Sequence, residues 1–89
     1  MSDRPPWRVV VTGRAERELK RLPAKDQGRI RSAMDALTTG PGGDLRKLRG
    51  TEDEWRLRVG DWRIRFRIDF SARVVVILRV LPRGSAYRD

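Results

Sequence analysis

Five arginines at alternate positions, Arg56 and Arg58 in WRLRV and Arg63, Arg65 and Arg67 in WRIRFRI, are the residues of this chain best suited to chemistry. A guanidinium is planar, permanently charged and carries five N–H donors in a fixed fork. It therefore grips phosphate or carboxylate bidentately and steadies negative charge developing on a phosphate, but it does not exchange protons. With no His and no Cys, imidazole acid–base catalysis, thiolate chemistry, disulfides and the usual metal-ligand sets are excluded. No paired carboxylate is evident beside the arginines, so the sequence is rich in charge stabilisation and poor in groups that move protons. Neither a metal nor another cofactor is expected.

Such guanidiniums are useful only if something rigid holds them. Trp55, Leu57 and Val59, then Trp62, Ile64, Phe66 and Ile68, alternate strictly with the arginines, which places apolar side chains on one face of a strand pair and cations on the other. Gly60-Asp61 between the runs is a hairpin-turn signal, because Gly accepts positive φ and Asp can bond its own backbone. Trp55 and Trp62 share the apolar parity and are expected in the core. The arginine face is not expected to be buried: each guanidinium would need a partner, and only Asp61 and Asp69 lie nearby in sequence. It must meet solvent, the ordinary state of an open sheet face, or something anionic.

The rest of the chain supplies the layer behind the hairpin. Trp7 to Thr12 (WRVVVT) is β-branched and reads as the first strand. Ala15, Leu19 and Leu22 then repeat at helical spacing, with Thr12 or Gly13 as cap and Pro23 as stop. Pro23 suits the first turn of a second helix, in which Ile30, Ala33, Met34 and Leu37 form one stripe. Thr38 to Gly43 breaks it, and Asp44 to Asp53 reads as a connection pinned by Leu45 and Leu48. Arg73 to Leu81 (RVVVILRVL) is apolar enough for an interior strand, ended by Pro82. The reading is α+β, in the order β-α-α-β-β-β: an antiparallel sheet with two N-terminal helices packed on one face, leaving the arginine face bare.

With 89 residues the chain is expected to form one domain, residues 1–89, with Met1 to Pro6 a disordered start. Arg and Lys number 21 against 12 Asp and Glu, a net charge of +9, and 18 of the 21 cations are Arg. A polyanion or an acidic protein is the expected partner. No apolar stretch approaches the roughly 20 residues of a membrane span, and Met1 to Pro6 is too short and polar for a signal peptide, so a soluble cytoplasmic protein with no membrane partner is expected.

Four phrases in this order resemble the RelE/ParE superfamily of type II toxin–antitoxin toxins, from about Val9 to Arg88. They are the β-α-α-β-β-β order, Lys47-Leu48-Arg49-Gly50 before an aromatic-led strand, Asp61-Trp62-Arg63-Ile64, and Pro82-Arg83-Gly84-Ser85-Ala86-Tyr87-Arg88. In the RelE branch, the one favoured here, the resemblance implies a metal-independent endoribonuclease that cuts mRNA on the 70S ribosome, monomeric when free. It also implies a cognate acidic antitoxin. The implied catalytic residues are Arg56, Arg58, Arg63, Arg83 and Tyr87. RNA-binding roles fall to Arg65 and Arg67 on the strand and to Arg14, Arg17, Lys20 and Arg21 on the first helix, which read otherwise as solvated faces. The best-known RelE members have Lys where this chain has Arg56 and Arg58. Arginine cannot serve as the base, so these two are cast as stabilisers, and Tyr87 is the remaining neutral side chain among the matched positions that could exchange a proton. A ring packed on the sheet is its alternative. Two other functions stay open: a ParE-like inhibitor of DNA gyrase, and a non-catalytic basic module that binds RNA or an antitoxin.

Overall fold

The computed structural model describes residues 7–39, 45–47 and 54–84. Met1 to Pro6, the Gly40 to Gly43 breaker, Leu48 to Gly50 and the tail with Tyr87 lie outside them. The elements are β1 (Arg8–Val11), α1 (Gly13–Lys20), α2 (Ala24–Ala36) followed by a 3-10 turn (Leu37–Thr39), β2 (Leu45–Lys47), β3 (Glu54–Val59), β4 (Trp62–Asp69) and β5 (Val74–Pro82). The sheet order is β1-β5-β4-β3-β2.

The α+β order expected from the sequence is observed, with two refinements. A short edge strand, β2, lies within the expected connection and pairs antiparallel with β3. Three residues are too few for an alternation signal. The sheet is also largely rather than wholly antiparallel: three successive strand reversals from β2 bring β5 back beside β1, running parallel to it.

One apolar layer holds the two helices on the sheet. Ala15 and Leu19 of α1, Ile30 and Met34 of α2, and Leu37 pack with Leu57, Ile64, Phe66, Ile68, Val75, Ile77 and Val80. Phe66, Leu19, Ile30, Ile64, Ile77 and Val75 are fully buried, each contributing about 1.5–3 kcal/mol of hydrophobic stabilisation. Trp55 and Trp62 pack against this core while only half-buried, because they sit at the two ends of β3 and β4.

Local chemistry fixes the junctions. Thr12 caps α1: its Oγ1 accepts from Ala15 N at 3.2 Å and donates to Leu78 O at 3.3 Å. Pro23 occupies the cap position of α2 rather than its first turn, and Gln27 Nε2 donates to Leu22 O at 2.8 Å, answering a carbonyl that the end of α1 leaves over. At the far end of the sheet, Arg73 adopts φ 56° and lays its guanidinium 5.1 Å from the Trp7 ring centroid.

Alternation in β5 is interrupted once. Arg65 opposes Arg79 and Phe66 opposes Ile77, so Leu78 is an extra residue on β5. Were alternation to run unbroken through Leu78, Arg79 would follow Val75 and Ile77 onto the core face; the bulge leaves Val80 the core position opposite Ile64. Beyond β1 the free edge of β5 is taken up by α1: Glu18 Oε1 accepts the Val80 N–H at 2.9 Å, and its other oxygen accepts from Arg79 Nε at 3.0 Å, with Nη2 2.9 Å away in the same ion pair.

The two helices are joined at the surface by Glu16, whose Oε1 accepts from Arg31 Nη2 at 2.7 Å and lies 4.0 Å from Lys20 Nζ. The hydrogen bond from Arg31, with the attraction of both cations, holds the Glu16 carboxyl below its ordinary value of 4.5, against the opposing effect of desolvation. A carboxyl lowered in the folded state adds stability above its unfolded value, and that stability is lost as pH falls through the folded value. Glu16→Gln should therefore lower the urea midpoint slightly at pH 6, with the difference from wild type closing below pH 4.5 and shrinking in 1 M salt. A gap that stays constant from pH 6 to pH 3 would show that the ion pair is not its source.

Candidate functional site

The arginine face is made by β3 and β4, joined by the two-residue turn Gly60-Asp61. Gly60 has φ 58°, a conformation costly for an L side chain. The turn fixes the register: Arg58 is directly opposite Arg63, and Arg56 directly opposite Arg65. Arg65 in turn opposes Arg79, and Arg46 opposes Arg56, so one row carries arginine on four neighbouring strands. Like charges directly opposite across strands are destabilising, and this sheet places them together repeatedly.

Two carboxylates temper that row, both missed from the sequence. Glu18 holds Arg79, as above. Glu54 opposes Arg67 and is the diagonal neighbour of Arg65, whose Nη2 donates to Glu54 Oε1 at 3.0 Å. Glu54 shares the parity of Arg56 and Arg58, so strand alternation alone could have placed it on this face.

The expectation that the whole arginine face lies open needs one correction. Arg65 is 5 % exposed. It sits mid-row on the central strand, walled by the long side chains of the flanking strands, with Glu54 supplying the partner that a buried guanidinium requires. Its expected role in RNA binding gives way to one inside the fold.

The hairpin end of the sheet is different. Arg58 and Arg83 are exposed and Arg63 is half-exposed. Arg63 Nη1 donates to Gly60 O and to Trp62 O, both at 2.9 Å, which folds its guanidinium back over the turn. Arg83 N donates to Asp61 O at 2.8 Å, pinning the end of β5 to the same turn. Arg58 and Arg63 are thus cross-strand partners beside the turn, Arg83 follows β5 at the same end of the sheet, and half-buried Arg56 is one row further in. Arg67 is exposed two rows beyond Arg63. The helix residues Arg14, Arg17, Lys20 and Arg21 are exposed on α1, on the covered side of the sheet, and do not join this cluster. Tyr87 lies outside the described residues. Among the described residues, no group of three or more carboxylates is placed to hold a metal ion.

This fold is found in known proteins. The family model described as the ParE toxin of the type II toxin–antitoxin system, parDE, matches residues 9–87. The toxin RelE of Mycobacterium tuberculosis is 34% identical over 97 residues, spanning 99% of this chain and 93% of that relative. Among solved structures, the RelE–RelB complex of Pyrococcus horikoshii matches with a TM-score of 0.80 and 31% identity, covering 92% of this chain and 100% of that one. The toxin–antitoxin complex RelBE2 of M. tuberculosis matches with a TM-score of 0.79 and 31% identity, covering 89% and 100%.

Proposed function

This chain belongs to the ParE toxin family of type II toxin–antitoxin systems and is a toxin of the RelE type, and from that premise we propose that it is a ribosome-dependent endoribonuclease acting on messenger RNA. In the proposed step the 2′-oxygen attacks the adjacent phosphorus and the bond to the 5′-oxygen breaks. One proton leaves the 2′-OH, one reaches the 5′-oxygen, and the products are a 2′,3′-cyclic phosphate and a 5′-OH. The phosphorane formed on the way gathers negative charge, and that is where preorganised guanidiniums act. Arg58, Arg63 and Arg83 hold its oxygens, Arg56 steadies the flanking backbone, and Tyr87 exchanges a proton. Arginine cannot act as a base, so cleavage of free RNA is weak and the ribosome supplies the positioning.

The observation that carries this reading is the register of β3 on β4. It sets the exposed Arg58 opposite Arg63 on the side the helices leave uncovered, an arrangement that favours a bound polyanion. The second partner is an acidic antitoxin, as suggested by the net charge of +9 and by the antitoxin complexes formed by the P. horikoshii and M. tuberculosis relatives. Both partners place the protein in the cytoplasm.

The test is primer extension on message recovered from translating ribosomes after brief expression, beside the same message free in solution. New 5′ ends confined to ribosome-bound message are expected. Intact message accompanied by double-strand DNA breaks would overturn the proposal in favour of gyrase inhibition, and intact message with intact DNA would leave a non-catalytic binding module.

A further inference from the structure

We propose that Arg29 of α2 is a further RNA-phosphate ligand, one that carries the binding surface around the hairpin tip and onto the helical side of the molecule. The proposal rests on the reading of the arginine face given above. A Cβ placed on Gly60 would meet Arg29 Nη1 and Nη2 at 3.1 Å and Cζ at 3.3 Å. The guanidinium is therefore packed against the glycine, its two terminal nitrogens nearer than Cζ. Gly60 thus meets two demands at once, a positive φ for the turn and a bare α-carbon for the guanidinium to rest on. Arg29 is exposed, and a guanidinium held at the tip is positioned to meet a phosphate oxygen.

From the other side of the same two residues, Arg63 donates to Gly60 O and Arg83 is held by Asp61 O. Three arginines from three elements therefore flank one glycine turn. A single-stranded backbone crossing Arg58 and Arg63 at the tip brings its next phosphate to Arg29. Phosphate chemistry sets the ligand class: this contact positions the RNA and reads no base.

Fluorescence anisotropy of the full chain with a labelled single-stranded 2′-O-methyl oligonucleotide, which cannot be cut, tests this across a salt series. For single strands each phosphate contact contributes about 0.7 to the slope of log affinity against log salt. Arg29→Ala should reduce the slope by about 0.7 and weaken binding about fivefold at 0.1 M salt relative to 1 M, while Arg29→Lys keeps the slope. If Arg63→Ala weakens binding and Arg29→Ala does not, the proposal falls and the reading of the face stands. If neither has an effect, both fall. An Arg29→Ala that shifts only the thermal midpoint marks a packing role and overturns the proposal. So does an equal loss from Arg8→Ala at the opposite end of the sheet, since binding would then follow net charge alone.

Discussion

Replacing Arg65 by alanine is expected to lower the unfolding free energy by about 3–5 kcal/mol, the usual cost of removing one member of a buried ion pair. The Arg65 side chain is 7% exposed and that of its partner Glu54 is 18% exposed, so the stranded carboxylate would have little access to water. At the lower end of the usual range of about 5–15 kcal/mol for a domain, that loss removes most of the stability. Urea denaturation reads the effect directly. Because most of the penalty is the unpaired charge, Arg65→Met combined with Glu54→Gln should recover most of the loss. An Arg65→Ala variant within 1 kcal/mol of wild type would mean that the pair is solvated and the burial misjudged.

Arg63 lies two residues earlier on the same face, and its replacement is expected to do the opposite. On the proposed assignment, Arg63→Ala removes one stabiliser of the phosphorane, and single losses of this kind reduce turnover about 10²–10³-fold. Stability should change by no more than about 1 kcal/mol, because of the two carbonyls its guanidinium answers, that of Gly60 is exposed and that of Trp62 only part-buried, so water can replace the lost bonds. Cleavage of ribosome-bound message by the purified variant, beside its urea midpoint, separates the two quantities. Full activity in a folded Arg63→Ala protein would remove Arg63 from the site.

That contrast marks the boundary of what one-dimensional pattern conveys. Alternation located β3, β4 and the turn between them, and helical spacing located the stripes of Ala15 and Leu19 and of Ile30, Met34 and Leu37. Both follow from which way successive side chains point. Parity assigns a face and says nothing of depth: Arg63 and Arg65 are indistinguishable by it, and only the flanking strands make one accessible and the other buried. The carboxylates were hidden for a related reason. Glu54 reaches Arg65 diagonally across a strand pair, and Glu18 reaches Arg79 from 61 residues away, so neither is near its partner in sequence. Arg29 gave no signal, because its neighbour Gly60 becomes a neighbour only when α2 docks. The extra residue in β5 was invisible inside an apolar run, where either parity looks acceptable.

Leu78 makes one codon of the gene unusually dispensable. Losing that codon would let β5 resume regular alternation, with Arg79 still opposite Arg65 and Val80 still opposite Ile64. A one-codon gain or loss elsewhere in the strand, with the bulge kept, would instead exchange the lining of the protein for its exterior while leaving the composition almost untouched.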